Sequence, residues 1–201
     1  MRAVPNELKT LFAQSADLCI ASGLAGSLKQ QYRPGTILVA KTVRTSGPDR
    51  AIQSDKSLVE TANQLGAASV DCFFTSSTVV NSRAEKFRLG AIADVVEMES
   101  FHVFSQAVEH GVPVVAVRAI SDAAETSLPI DLNRVITGRG RISLGSALYE
   151  ISKAPLEIPQ LMRFGLESSR AARNLAHFLD RYIEVLISGP HRAVLDRAET
   201  K

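Results

Sequence analysis

Three carboxylates and a serine stand at the ends of two apolar runs. Val95–Val96 leads into Glu97-Met98-Glu99, and Val112–Ile120 leads into Ser121-Asp122. Residues two apart on an extended strand share a face, so Glu97 and Glu99 are expected side by side. Paired carboxylates either share a proton or grip two neighbouring hydroxyls. At the end of the second run Asp122 has the chemistry to protonate a leaving group. Ser121 would orient it through a hydrogen bond, and Arg118 in the same run would neutralise a buried acid. A blander reading makes these acids helix caps or first-turn residues favoured by the helix dipole, and Glu99 before Ser100 fits it well.

The elements that must position these groups alternate β-rich runs with helical stretches, the pattern of an α/β fold. Strands are expected over Asp17–Ser22, Thr36–Val43, Val70–Thr75, Asp94–Met98 and Val112–Ile120. Helices are expected over Asn6–Gln14, Ser54–Leu65, Ser82–Leu89 and Ser100–His110. In the last of these, Phe101, Phe104 and Ala107–Val108 form an apolar face of helical period, which Gly111 and Pro113 end. Ligands of an open parallel sheet bind beyond the carboxyl ends of its strands. Read as neighbouring strands, the Val95 and Val112 runs would bring all three carboxylates to one rim. The segment Ser22-Gly23-Leu24-Ala25-Gly26-Ser27-Leu28 reads as a glycine-punctuated turn that lets a ligand approach the backbone. It matches neither the dinucleotide nor the P-loop fingerprint.

After Asp122 the pattern changes. Residues 123–143 read as loop, with Arg134, Arg139 and Arg141 a solvated or phosphate-touching cluster. Residues 144–188 read as helical. Leu161, Phe164, Ala171, Leu175, Phe178, Tyr182 and Leu186 recur at helical spacings and predict one long amphipathic helix, interrupted early at Gly165. Such a helix would cover the sheet or pair with another subunit. Arg163, Arg170, Arg173 and Arg181 beside the stripe suggest a membrane surface instead, and Glu167, Asp180 and Glu184 count against that.

With 201 residues, 45% of them hydrophobic and 22% charged, residues 1–201 are expected to form a single domain. The net charge of +2 is interspersed rather than gathered on one face, so no nucleic-acid partner is expected. No apolar run nears the roughly 18–20 residues that span a bilayer. The N-terminus MRAVPNELKTLF lacks a signal-peptide pattern, and a cytoplasmic location is expected. Cys19 and Cys72 read as buried, reduced thiols. His102, His110, His177 and His191 are scattered, which argues against a metal.

Together, the segments S-G-L-A-G-S-L, R-P-G-T-I-L-V-A, V-E-M-E-S and V-R-A-I-S-D, in that order, resemble the nucleoside phosphorylase and nucleosidase superfamily. That group includes purine nucleoside phosphorylases and methylthioadenosine/adenosylhomocysteine nucleosidases. The resemblance covers about residues 15–125. The tail, from Leu128-Pro129 through GRGRISLGSALYEISKAPLEIPQLMRF, is most similar to the hopanoid-associated branch, whose members are thought to remove adenine from adenosylhopane. The resemblance implies a three-layer α/β/α sandwich with a mostly helical C-terminal portion, and cleavage of the N-glycosidic bond of a purine nucleoside. On the matching positions, Asp122 would give a proton or hydrogen bond to N7 of the base, assisted by Ser121. Glu99 would take the ribose hydroxyls, with Met98 packed under the sugar. Val79, Val80, Val96 and Glu97 would line the base pocket, and Ala25 and Gly26 would lie beside the sugar and the attacking group. No cofactor is implied, phosphate is a candidate co-substrate, and a homo-oligomer is expected.

Two departures from the family pattern matter. Leu24 stands where the family often has a serine that helps hold phosphate or water, which argues against phosphorolysis. The family also has a strand and roughly 50 further residues, a βαβ unit or more, ahead of this point, where about 16 residues precede Asp17–Ser22 here. That front portion carries the phosphate-binding turn of phosphorylases or the acid that activates water in hydrolases. Three expectations follow. The chain is an N-ribosyl hydrolase or phosphorylase completed by another subunit or segment, acting on a purine nucleoside with an apolar 5′ substituent. Alternatively it is a non-catalytic nucleoside-binding or assembly protein, or its gene starts further upstream.

Overall fold

A computed structural model describes residues 12, 16–47, 50–127 and 158–188. Apart from Phe12, the expected helix over Asn6–Gln14 lies outside the described residues. So do the cluster Arg134, Arg139 and Arg141 and the expected helical stretch 144–157. The described chain runs β1 (Cys19–Ser27), β2 (Ile37–Thr45), β3 (Ala51–Gln53), α1 (Lys56–Gln64), β4 (Ala68–Thr75), α2 (Arg83–Leu89), β5 (Val95–Glu97), α3 (Ser100–Glu109), β6 (Val114–Asp122) and α4 (Ile158–Ser188).

Capping chemistry sets the starts of the short helices. Asp55 accepts a hydrogen bond from the Leu58 N–H and Ser82 accepts one from the Glu85 N–H, each meeting an otherwise orphaned donor of a first turn. Gly111, with φ of 68°, follows the end of α3 in the left-handed region that glycine tolerates.

The six strands form a mixed sheet ordered β3-β2-β4-β5-β1-β6, and β2 pairs with β6 as well. That extra antiparallel pairing, Ile37 to Ala119 through Val39 to Val117, folds the sheet back on itself. All nine residues of β6 are buried, as expected for a strand bonded on both edges and covered on both faces. On one face Phe104 and Ala107 of α3 pack with Leu38, Phe73, Val95, Ala116 and Ile120. On the other, α4 lays Ala171, Leu175, Phe178, Tyr182 and Leu186 over Val39, Val115, Val117 and Ala119, with Leu58 and Ala62 of α1 alongside. The Tyr182 hydroxyl donates to the Leu58 carbonyl at 2.7 Å, so the buried ring keeps its polar end satisfied. The apolar stripe of α4 therefore covers the sheet. Among the described residues no helix is long and apolar enough to cross a membrane.

Several expectations change. The segment read as a turn, Ser22 to Leu28, is mostly strand: β1 continues to Ser27, pairing with β6 along its length and with β5 at its end. α4 runs through Gly165 without interruption, because a single exposed glycine costs a helix only about 1 kcal/mol, less than the buried stripe returns. The β5 and β6 strands are not neighbours. β1 lies between them and runs parallel to β6 and antiparallel to β5, so their ends meet across β1 rather than as neighbouring parallel strands. β3 was not anticipated from its three residues.

Candidate functional site

Ala25 and Gly26 near the end of β1, Val96 and Glu97 of β5, and Ser121 and Asp122 of β6 come together where these three strands meet. With Met98 and Glu99 before α3, and Val79 and Val80 before α2, they line one cavity of about 410 Å³. Leu24, Thr78, Phe164 and Ser168 complete the lining. A larger recess of about 590 Å³, edged by Lys41, Gln53, Lys56 and Glu60, holds none of these residues.

Glu97 and Glu99 do not share one extended strand. The strand ends at Glu97, and Glu99 takes φ −128°, ψ −32° as the residue before α3, yet both carboxylates lie within reach of the same Arg118 nitrogen. Glu97 is buried. Its Oε2 accepts from the Arg118 guanidinium at 2.6 Å and from the N–H groups of Glu99 (2.9 Å) and Ser100 (2.8 Å). The Thr75 hydroxyl bonds Oε1 and itself accepts the N–H of Phe101 at 2.9 Å. The opening N–H groups of α3 are thus met by side chains from β4 and β5, where a carboxylate also suits the positive end of the helix. Burial works against ionisation of Glu97. Arg118 and these hydrogen bonds outweigh it and hold the carboxyl below its ordinary range. Glu99 occupies the cap position but makes no side-chain cap. Its carboxylate is 62% exposed and lies 3.8 Å from Arg118.

Arg118 also donates to the Ser100 hydroxyl at 2.9 Å. It stands opposite Gly23 of β1, and a Cβ there would lie 2.7 Å from Nη1. The glycines of this segment are needed for space rather than for a turn. Gly26 shows the same: a Cβ would lie 3.0 Å from Asp122 Oδ2 and 3.3 Å from Val96 Cγ1.

The β1–β6 register passes from Ala25–Ile120 to Gly26–Asp122, skipping Ser121. Irregularities of this kind re-aim side chains at strand ends. Here the Ser121 hydroxyl lies 2.6 Å from Asp122 Oδ1 and 3.1 Å from the Ala25 carbonyl. A hydroxyl has one hydrogen and two lone pairs. It can donate to a carboxylate at Asp122, or donate to Ala25 and accept from a protonated Asp122. Both protonation states of the acid are served by turning the hydroxyl hydrogen alone.

Sequence reasoning missed Lys86. Its buried ammonium donates to Asp122 Oδ2, a partner 36 residues away in the chain. It missed Thr75 as well, whose hydroxyl carries no signal apart from the fold. The Ser168 hydroxyl of α4 is a further lining group, buried with no hydrogen-bond partner among the described residues. Cys19 and Cys72 are free thiols, each partly buried, and burial pushes the Cys72 thiol up to about 11. Among the described residues no group of histidine, cysteine and acidic side chains gathers that could hold a metal ion.

Residues 6–184 match the family described as the Phosphorylase superfamily. The fold is similar to that of the 5′-methylthioadenosine/S-adenosylhomocysteine nucleosidase of Helicobacter pylori, solved with butyl-thio-DADMe-Immucillin-A. The identity is 20% and the TM-score 0.65, over 89% of this chain and 73% of that one. Futalosine hydrolase of the same organism, strain 26695, is similar to the same extent: 20% identity, TM-score 0.65, 89% and 73% covered. At such identities the likeness is one of fold. No curated protein matches the chain.

Proposed function

This chain belongs to the phosphorylase superfamily, and from that premise we propose that it cleaves the N-glycosidic bond of a purine nucleoside, with water as the attacking group. The observation that carries the reading is a buried acid on the cavity wall, Asp122, whose partner Ser121 fits both of its protonation states. The layering follows the same reading, a three-layer α/β/α sandwich of the phosphorylase/hydrolase type.

In the proposed reaction the C1′–N9 bond breaks and its electron pair passes to the base. N7 takes a proton from Asp122, so the base leaves neutral while the ribose becomes oxocarbenium-like. Water adds to C1′ and gives up a proton to solvent, and Asp122 regains one, so nucleoside and water become free base and ribose. Glu99, the exposed carboxylate of the pair, accepts the ribose hydroxyls, and Met98 packs under the sugar. Val79, Val80 and Val96 line the base, while Ala25 and Gly26 edge the sugar. Glu97 shapes the pocket through Arg118 and α3 and touches no substrate. Hydrolysis is favoured over phosphorolysis because Leu24 lines the cavity with an apolar chain that cannot bind phosphate. Leu24 and Phe164 also support an apolar 5′ substituent, as in 5′-alkyl or 5′-alkylthio adenosines and adenosylhopane. Self-association belongs to the same reading, supported by the exposed apolar side chains Phe87, Met162 and Leu166.

Adenine release from adenosine, 5′-methylthioadenosine and 5′-alkyl adenosines, measured with and without phosphate, tests this. Release without phosphate is expected, and Asp122→Asn is expected to lower it by about 10²–10⁴-fold with the fold retained. Phosphate-dependent release would replace hydrolysis by phosphorolysis. No turnover, with adenosine analogues still raising Tm, would leave only a nucleoside-binding protein.

A further inference from the structure

The helix α2 partitions its side chains the wrong way round. Lys86 is 0% exposed while the next residue, Phe87, is 83% exposed. Lysine is almost never fully buried unless it is paired. Here every donor is answered: besides Asp122 Oδ2, the ammonium reaches the carbonyls of Ala123 at 2.8 Å and Thr126 at 3.0 Å. An ammonium has three donors and no acceptor, so three oxygens saturate it. That arrangement holds the ammonium in a single geometry.

Phe87 in turn faces outward while Lys86 points inward. The exchange places a fixed positive charge against the oxygen of Asp122 that packs on Gly26. On the far side of the same carboxyl, Ser121 holds Oδ1. The acid is thus clamped from both ends, and only one clamp carries charge.

We infer that Lys86 is a positioning residue for Asp122, an inference that rests on the proposed cleavage. When the proton moves from Asp122 to N7 of the base, it leaves a buried carboxylate behind. The Lys86 ammonium already faces the oxygen on which that charge develops, so no group has to reorganise at the moment of transfer. Without it the carboxylate left by the transfer has no facing charge in a buried setting, and the transfer is slower. Lys86 touches neither base nor sugar and acts only through Asp122.

The role depends on the leaving group, which a purely structural role would not. Adenine needs protonation to leave, whereas nitrophenolate leaves without it. Lys86→Met and Lys86→Gln are compared with the parent on the adenine nucleoside that the parent cleaves and on the matching 4-nitrophenyl riboside. For both variants kcat/KM on the adenine nucleoside is expected to fall about 10²-fold or more, the scale of general-acid catalysis. The loss on the nitrophenyl riboside is expected to be at least roughly tenfold smaller. The ratio of the two losses does not depend on how much of a variant is folded. Lys86→Gln keeps a donor without the charge and reads the same ratio if the methionine variant folds poorly. Equal losses on both substrates, or a loss under about threefold on the adenine nucleoside, would overturn the role of Lys86 and leave the cleavage reading standing. A parent that releases neither adenine nor nitrophenol would sink both.

Discussion

Replacing Arg118 tests whether the pair beneath the cavity holds the molecule together. Arg118 and Glu97 are buried and joined at 2.6 Å, and Ser100 depends on the same guanidinium. Arg118→Met keeps the length of the chain but leaves the Glu97 carboxylate without its counter-charge. Breaking a buried pair from one side costs about 3–5 kcal/mol. With about 2.1 cal/mol/K of unfolding entropy per residue, the 201-residue chain unfolds with roughly 0.4 kcal/mol/K. The expected fall in Tm is therefore about 7–12 °C. Glu97→Gln strands Arg118 in the same way and should cost a similar amount. Combining the two substitutions removes both charges, so the double variant should cost about 2–3 kcal/mol less than the sum of the singles. Thermal unfolding followed by circular dichroism on all four proteins gives the cycle. The reasoning fails if either single costs under about 1 kcal/mol, the range of an exposed pair. It also fails if the costs add within about 0.5 kcal/mol.

Acid should act through the same carboxylate. Its folded value is held below the ordinary 4.5, so its contribution is present above that pH and is lost as pH falls through the depressed value. Parent Tm should drop between roughly pH 5 and 3, with a shallower drop in Glu97→Gln, and identical slopes would refute this. At Gly26 an added methyl must push Asp122 or Val96 by a few tenths of an ångström. Gly26→Ala should slow adenine release by about 3–10-fold, since a misplacement near 1 Å costs about 10²-fold. Unaltered release would show that Asp122 has room to spare.

Much of the scaffold was legible because its signals are local. Alternation and cap residues such as Ser82 and Asp55 depend on neighbours in the chain, and the helices and most strands fall within a few residues of expectation. The stripe from Ala171 to Leu186 announced a covering helix for the same reason. Bonds that join distant segments were not legible. The β2–β6 pairing, and β1 lying between β5 and β6, depend on which strands meet in space. The space demanded at Gly23 and Gly26 comes from Arg118 and Asp122 across the sheet, so the glycines read from sequence as a turn. Lys86 carried no signal, since its partner Asp122 lies 36 residues away in the chain.

By itself, then, the sequence determined the α/β class and most of the run of elements, because periodicity is written along the chain, and the family resemblance of its motifs pointed to ten of the fourteen residues that line the smaller cavity. Tertiary structure decided how the acids divide. It buried Glu97 under Arg118 and the first turn of α3, left Glu99 exposed, and set Asp122 between Ser121 and Lys86. Two carboxylates two residues apart look equivalent in a sequence. They differ only once folding buries one among its partners and leaves the other exposed, and burial and partners, not spacing, set what a carboxylate does.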